Sequence, residues 1–464
     1  MSPVQPTSTL VRGAACLWTG ERGDTARRGA AQGTDIRYND GRVVDLGHLT
    51  PLPGEAVIDA SGCVVMPGWV NTHHHLFQSL LKGVPAGLDL GLMGWLSAVP
   101  VRYRRGFDHE AVFRTAMRVG LVELLLSGCT TVADHQYHNY PDMPFDTSAV
   151  VFDEADRLGM RMVLARGGQT IARAIDTNPS PQNAPESLDA FLAAIERDAQ
   201  RFHDPSPMAM RRVACAPSTP TWSVPVEHLK VMARHARGLG LHLHSHLSET
   251  RDYVDYCQAV HGCTPMQFAE RHEWVGPDVW FAHMVHLPPA DIDLVVATGT
   301  GIAHCPQSNG RLGSGVAPVS ELLRRGARVS LAVDGAASNE AADSLSEAHA
   351  AWLLQRAVHG PAALSVADVV AMGTSGGAQV LGLGGVGTLA PGMAADLVAY
   401  ELDDPAHLGL HDVGVAPVAS GRARTRFVTV LGRQVVQNRC VPGLDMAGLQ
   451  AQAQQCVEQL KSMT

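Results

Sequence analysis

Short apolar stretches rich in β-branched residues alternate with longer amphipathic stretches through the middle of the chain. The first kind is typical of buried strands and the second of helices. Strands that alternate with helices form a parallel sheet, because each strand needs a crossover connection in order to run in the same direction as the one before it. Eight stretches are predicted as strands: GCVVMPGWVNTH, CTTVADHQ, RMVLARGG, RVACAPST, LHLHSHLS, VWFAHMVH, TGIAHCPQ and RVSLAVDG.

Eight strand–helix units over roughly 310 residues fit a (β/α)8 barrel with insertions. An open, doubly wound sheet is the alternative fold, but no glycine-rich phosphate-binding sequence follows the first predicted strand. We therefore expect an α/β protein whose (β/α)8 barrel occupies residues 67–384.

The two ends of the chain have a different pattern from the middle. Both are glycine-rich and short-stranded, and Asp40-Gly41 is typical of a hairpin turn. Two such β segments flanking a long middle predict one small β-sandwich domain formed by residues 1–66 together with 385–445. Residues 446–464 contain good helix formers and few breakers, which predicts a C-terminal helix.

Composition and charge mainly exclude functions. The 464 residues are 45% apolar and 17% charged, which is ordinary for a globular protein. A net charge of −9 without a basic block argues against a nucleic-acid partner. No uninterrupted apolar segment approaches the ~18 residues of a membrane span. Nine scattered cysteines without a CxxC pair argue against a secreted disulfide framework, so we expect a cytoplasmic protein.

Histidine and carboxylate residues follow several of the predicted strands. His73 and His75 end the first strand, and alternate residues of a strand share one face, so the two imidazoles could bind one metal ion while His74 faces away. With 22 histidines in the chain, such a pair could also arise by chance. The other strand ends favour the metal site, because the carboxyl ends of barrel strands converge. They carry His246 with Glu249, His283, and Asp334.

These strand ends resemble those of the amidohydrolase superfamily, in the branch of aminohydrolases that act on nitrogen heterocycles. The resemblance rests on THHH, HSHLSE, AHMVHL, AHCPQSN and VDGAASN, and on the closing segment GTLAPGMAADLVAY. It extends from about residue 8 to residue 440. The strings HHHLFQ, ELLLSGCTTVADHQY and ARGGQ are similar to those of 8-oxoguanine and isoxanthopterin deaminases.

The resemblance implies a role for each strand-end residue. The implied metal ligands are His73, His75, His246 and Asp334. The implied catalytic residues are Glu249 as the acid/base, His283 as the group that hydrogen-bonds the attacked centre, and Asp334. His242 and His244 share the face of His246 along the fifth strand, and we interpret them as buried interior residues.

The implied metal content is one divalent ion. Members of the superfamily with two metals use a carboxylated lysine at the end of strand four, but this strand reads RRVACAPSTP and Lys230 falls in the following helix. Three imidazoles and a carboxylate suit zinc best, with iron or manganese as alternatives.

The chemistry implied is hydrolytic deamination of a bicyclic nitrogen heterocycle, either an oxidised pterin such as isoxanthopterin or 8-oxoguanine. Water oxygen adds to an amidine-like ring carbon, the neighbouring nitrogen is protonated and ammonia leaves. The alternatives are a deaminase of guanine, cytosine or S-adenosylhomocysteine, and a triazine-type chlorohydrolase that expels chloride. A non-enzymatic scaffold would lack a ligand or the glutamate, and neither is missing.

Three insertions after strands contain candidates for binding this small-molecule substrate. A planar base requires aromatic walls and amide groups that both donate and accept hydrogen bonds. The candidates are Gln78 and Trp95 after strand one, Arg166, Gln169 and Arg173 in and after strand three, and Trp222 after strand four. Packing is the alternative role for both tryptophans, and also for Cys305 beside the seventh strand end. A homo-oligomer is compatible with the resemblance, although the sequence defines no interface.

Overall fold

The computed structural model describes residues 8–172 and 184–463 of the chain. Arg173 therefore lies outside the described residues. The amino-terminal part forms seven short strands before the barrel begins. They are β1 (Ser8–Arg12), β2 (Cys16–Trp18), β3 (Arg27–Arg28), β4 (Asp35–Asn39), β5 (Arg42–Gly47), β6 (Ala56–Asp59) and β7 (Cys63–Pro67).

Eight parallel strands then form a nearly closed barrel. Each strand pairs with its neighbours in sequence order, and a parallel bridge between His74 and Asp334 joins the first strand to the segment after the last. The predicted (β/α)8 barrel is thus confirmed. Its strands are β8 (Trp69–His74), β9 (Cys129–Gln136), β10 (Arg161–Gly168), β11 (Arg211–Pro217), β12 (His242–Leu247), β13 (Val279–His283), β14 (Gly301–His304) and β15 (Arg328–Leu331).

Three further strands return the chain to the amino-terminal sheets: β16 (Leu397–Glu401), β17 (Arg424–Val430) and β18 (Arg433–Gln437). One sheet has the order β5-β4-β1-β6, and the other has the order β18-β17-β16-β7-β2-β3. The second sheet contains strands from both ends of the chain, because β16 pairs antiparallel with β7. A small β domain built from both termini is therefore present, as the sequence predicts.

One predicted strand is two strands in the structure. The stretch GCVVMPGWVNTH contains β7, which belongs to the small domain, and β8, which begins the barrel. Gly68 separates them, and a Cβ at this position would lie 2.2 Å from Cγ2 of Thr130. The close approach of the Thr130 side chain requires glycine here, and the chain changes sheets at this point.

The helices lie mainly between the barrel strands, and none of those described has the length and apolar composition needed to cross a bilayer. They are α1 (Leu92–Leu96), α2 (Glu110–Leu126), α3 (Thr147–Leu158), α4 (Leu188–Phe202), α5 (Val226–Gly238), α6 (Arg251–His261), α7 (Pro265–Arg271), α8 (Pro289–Thr298), α9 (Pro306–Arg311), α10 (Val319–Arg324), α11 (Ser344–His359), α12 (Val366–Ala371), α13 (Gly377–Val380), α14 (Ala416–Ala419) and α15 (Met446–Ser462).

Buried polar contacts join the small domain to the barrel. Arg161, at the start of β10, donates to Asp396, and both side chains are almost completely buried. The indole of Trp69 donates to the hydroxyl of Tyr400 at 2.7 Å, and that hydroxyl donates to the carbonyl oxygen of Ser127 at 2.5 Å. Buried groups of this kind must be paired to avoid a large desolvation penalty, so they define how the two parts pack.

Candidate active site

The strand-end residues predicted from the sequence lie together at the carboxyl end of the barrel. Parallel strands bring these ends to one edge, so residues distant in the chain meet there. Their ligand atoms form two overlapping groups, within each of which all atoms lie within 4.8 Å of one another. One group contains His73, His246, His283 and Asp334, and the other contains His73, His75, His135 and His246.

The hydrogen bonds of His75 and His246 define where each ring carries its proton. Nδ1 of His75 donates to the carbonyl oxygen of His135 at 2.8 Å, and Nδ1 of His246 donates to that of Ser218 at 2.6 Å. A carbonyl oxygen only accepts, so in each neutral ring Nε2 carries a lone pair. Burial lowers the pKa of both rings and keeps them neutral. The two Nε2 atoms nevertheless face each other at 3.1 Å, an arrangement that a shared cation stabilises.

A two-step chain of hydrogen bonds orients His73 in the same way. Nδ1 of His244 donates to the carbonyl oxygen of Trp280 at 2.9 Å, which leaves Nε2 of His244 as an acceptor. This Nε2 accepts from Nδ1 of His73 at 2.8 Å, so Nε2 of His73 also carries a lone pair. His244 is thus buried, as expected, but it also positions a predicted metal ligand.

Asp334 completes the set of converging acceptors. Its Oδ1 lies 3.2 Å from Nε2 of His73 and 3.3 Å from Nε2 of His75. Within the described residues, neither Oδ1 of Asp334 nor Nε2 of His73 has a hydrogen-bond partner. Burial acts to raise the pKa of Asp334, but His73, His283 and His75 together hold it well below its usual range. The aspartate is therefore an anion.

This donor set fits a divalent metal ion. Three imidazole nitrogens and one carboxylate oxygen are all acceptors with no proton between them; His73, His75 and Asp334 are buried, and His246 is half-buried. Such a constellation is unfavourable by itself, because desolvated lone pairs and a negative charge face one another. Zinc, iron and manganese all accept nitrogen and oxygen ligands of this kind.

The sequence analysis missed His135, which belongs to the second group of ligand atoms. Its Nε2 donates to the carbonyl oxygen of Ala216 at 2.8 Å, and its ring stacks on His246 with centroids 4.7 Å apart. It is the next-to-last residue of β9 and points to the interior with the alternating residues of that strand. Its strand-end position is the signal that could have identified it.

Glu249 lies in the turn after β12, beside His283. It is 3% exposed, and burial raises its pKa to about 7, so this carboxyl keeps its proton to near neutral pH. Its Oε2 lies 3.6 Å from Nε2 of His283. On the other side of that ring, Nδ1 of His283 donates to Oδ1 of Asn309 at 2.9 Å. The imidazole is therefore held between a titrating carboxyl and a fixed acceptor.

Helix α9 supports two of these groups. The hydroxyl of Ser308 donates to Oδ2 of Asp334 at 2.6 Å, and Asn309 holds His283 as described. Ser338 also donates to Oδ2 of Asp334, at 3.1 Å. With Oδ2 occupied by hydroxyls, Oδ1 is the carboxylate oxygen that faces the histidines. Sequence reasoning missed Ser308 and Asn309, although both stand in the motif AHCPQSN.

The backbone is strained where two of the site residues leave their strands. His283 has φ of +74° and Asp334 has φ of +61°, in the left-handed region that residues other than glycine seldom adopt. Each such residue costs about 1–3 kcal/mol and persists only where the surroundings hold it in place. Strain of this kind concentrates at functional sites.

A cavity of about 1010 Å³, including the part open to solvent, lies over these residues. Among its lining residues are four that the sequence analysis proposed for substrate binding: Gln78, Trp95, Gln169 and Trp222. Trp222 packs against Tyr253 with ring centroids 4.0 Å apart, which forms an aromatic wall. The indole of Trp95 donates to the carbonyl oxygen of Ala337 at 3.2 Å, so this ring is also fixed.

Arg166 is not among the residues that line the cavity. Its guanidinium makes two hydrogen bonds, at 2.6 and 2.7 Å, with the carboxylate of Glu186, and it lies over the ring of Phe191. The side chain is only 5% exposed. Arg166 therefore supports the wall from behind. Cys305 is likewise buried outside the lining residues, with its thiol directed to the carbonyl oxygen of Ala303.

The fold and the site define a (β/α)8 hydrolase with a group of possible metal ligands at the carboxyl end of its barrel. The chain belongs to the amidohydrolase family, because the sequence model of that family matches residues 64–438. It is 50% identical to an isoxanthopterin deaminase from an unknown prokaryotic organism, over 98% of this chain and 97% of that protein. It is 37% identical to the 8-oxoguanine deaminase of Pseudomonas aeruginosa, over 88% of this chain and 91% of that protein.

A solved structure shows the same architecture with metal present. The atrazine chlorohydrolase of Arthrobacter aurescens complexed with zinc aligns with a TM-score of 0.88 at 26% identity. The alignment covers 97% of this chain and 100% of that one. The fold of nearly the whole chain is thus similar to that of a protein named as a chlorohydrolase.

Proposed function

We propose that the protein is a metal-dependent aminohydrolase that converts an amino-substituted bicyclic heterocycle into its oxo form and releases ammonia. An oxidised pterin such as isoxanthopterin is the preferred substrate, and 8-oxoguanine is the second candidate. The observation that carries the proposal is the group of unprotonated, converging acceptors beside the buried Glu249, whose pKa is raised to about 7, under an aromatic-walled cavity. The 50% identity to an isoxanthopterin deaminase, against 37% to an 8-oxoguanine deaminase, supports this order of substrates.

We propose one divalent ion, most simply zinc, held by His73, His75, His246 and Asp334. When bound, it would supply a Lewis acid and a water of lowered pKa. The absence of lysine from β11 supports a single ion, since Lys230 lies on α5. Metal analysis should give one equivalent per chain, and two tightly bound equivalents would reject the assignment.

The protein residues transfer protons while one bond of the substrate forms and another breaks. A C–O bond forms between water and the ring carbon, and the C–N bond to the exocyclic amine breaks. Oδ1 of Asp334 is the anionic acceptor for a proton of the attacking water. Glu249, whose pKa of about 7 leaves part of it protonated at neutral pH, donates to the ring nitrogen next to the attacked carbon. The proton held by Asp334 then passes to the exocyclic amine, which leaves as ammonia, and the second water proton returns to Glu249 as the C=O bond forms.

His283 stabilises the charge that develops at the attacked centre. Its Nδ1 proton is committed to Asn309, so it donates through Nε2 only in the protonated form. Glu249, with Oε2 at 3.6 Å, is in position to exchange that proton. The substrate itself would lie against Trp222 and Trp95, with its polar edge at Gln78 and Gln169.

Ammonia release from a panel of heterocycles tests the function. Metal-replete protein should deaminate isoxanthopterin or 8-oxoguanine with higher kcat/KM than guanine, cytosine or S-adenosylhomocysteine. Glu249→Gln should keep its metal and lose on the order of a hundredfold or more in turnover. Chloride release from a chlorotriazine without ammonia release from the panel would establish the chlorohydrolase alternative. No reaction with any compound, with metal bound, would establish a non-catalytic protein.

We also propose a cytoplasmic location, supported by nine cysteines that are all free and of which eight are buried. Reduced, buried thiols of this kind act as small apolar residues.

A further inference from the structure

Gln78 and Gly335 lie against each other at the edge of the cavity. A Cβ on Gly335 would lie 2.0 Å from Oε1 of Gln78 and 2.8 Å from its Cδ. The amide of Gln78 thus fills the volume that any side chain at position 335 would need. The φ of Gly335 lies outside the left-handed region, so its backbone conformation would accept alanine and the amide is the obstacle.

The other side of the amide is fixed as well. Nε2 of Gln78 donates to the hydroxyl of Tyr137 at 2.7 Å, and the residue is only 1% exposed. Its Oε1 is buried and has no hydrogen-bond partner within residues 8–172 and 184–463. An unpaired buried acceptor is costly, and in a cavity wall it is available to a ligand N–H.

We propose that Gly335 is a specificity-determining residue, which acts by leaving room for the Gln78 amide directly beside Asp334. In that position Oε1 accepts a hydrogen bond from an N–H of the heterocycle next to the attacked carbon. This inference rests on the proposed function. A site built to pair with a substrate N–H discriminates strongly against analogues that lack it, because its own acceptor is then left unpaired.

The distances explain why a single methyl group at position 335 should matter. Nε2 of Gln78 lies 3.4 Å from the same Cβ position and is bonded to Tyr137. The amide therefore cannot move away from a side chain at position 335 without breaking that bond. A side chain at 335 therefore displaces the acceptor oxygen from the substrate edge, while the histidine ligands are untouched. The expected defect lies in substrate recognition rather than in metal binding.

Three variants test the pair with isoxanthopterin as the substrate: Gly335→Ala, Gln78→Ala and the double variant. Each single change should lower kcat/KM at least tenfold at unchanged zinc content. The double variant should be no worse than Gln78→Ala alone, because the overlap no longer exists. It also removes the steric conflict, so it provides a folded protein if Gly335→Ala alone is unstable.

The discrimination against an N-methylated isoxanthopterin, which lacks the N–H beside the attacked carbon, should shrink in every variant. Gly384→Ala is the matched control, because a Cβ there meets no atom within 4 Å, and it should stay within twofold of wild type. Unchanged kinetics of Gly335→Ala, or a loss of equal size with and without the Gln78 side chain, would overturn the inference. A wild-type protein that deaminates nothing in the panel would instead overturn the proposed function, and with it the substrate contact.

Discussion

Replacing His244 by leucine tests how the metal site is oriented. His244 is the only acceptor for Nδ1–H of His73 among the described residues, and leucine fills a similar volume without accepting. The His73 proton must then remain buried and unpaired on Nδ1 or move to Nε2, where it blocks metal binding. An unsatisfied buried donor costs about 1–3 kcal/mol. At 1.4 kcal/mol for a factor of ten, metal affinity should fall about 10–100-fold.

Competition with a chromophoric chelator measures this affinity, with zinc as the probe ion. His304→Leu is the control, because His304 is equally buried and neither of its ring nitrogens has a partner in the described part of the chain. Thermal unfolding should show both variants folded. Zinc affinities that match wild type in both variants would refute the reasoning, since His244 would then be a packing residue like His304.

Three further perturbations have defined outcomes. The kcat/KM should fall as pH rises above about 7, because Glu249 loses the proton that burial lets it keep and that it must donate. Asp396→Ala should lower the free energy of unfolding in urea by about 3–5 kcal/mol, because the guanidinium of Arg161 stays buried without its counter-ion. Asn309→Ala should lower kcat about tenfold at unchanged metal content, because His283 loses the acceptor that orients it.

Each of these outcomes has its own control. Glu249→Gln should lack the alkaline limb, and a limb that persists would belong to another group. Asp293→Ala removes an exposed partner of Arg325 and should change the free energy of unfolding by at most about 1 kcal/mol. An Asp396 effect equally small would mean that water reaches Arg161. Asn309→Asp keeps an acceptor oxygen and should retain more activity than the alanine variant; equal loss in both would contradict the positioning role.

The barrel and the ends of its strands could be predicted because periodicity and strand-end chemistry are local properties of the sequence. On β12, for example, Leu243 and Leu247 occupy one set of alternate positions and His246 belongs to the other set. This alternation is visible in the sequence alone. The break at Gly68 was missed because it depends on Thr130, which is distant in the chain. The boundaries of the three proposed segments stay predictions.

Most of the contacts that could not be predicted involve hydrogen-bond or ion-pair partners that are distant in the chain. The proton positions on the histidines depend on carbonyl groups such as those of Ser218 and Trp280, which belong to other segments. The pairing of Arg166 could not be predicted, because its partner Glu186 lies 20 residues further along the chain. No pattern along the chain reports such contacts.

The candidate metal ligands lie on both sides of the place where the barrel closes, which links the proposed ion to folding. His73 lies on the first barrel strand, and Asp334 follows the last, where its N–H donates to the carbonyl oxygen of His73 at 3.1 Å. Contacts between residues so far apart in sequence carry a large loop-closure entropy and are slow to form. An ion bound by residues on both sides would favour the closed ring by mass action. Metal binding would then stabilise the barrel at the point where its first and last strands meet.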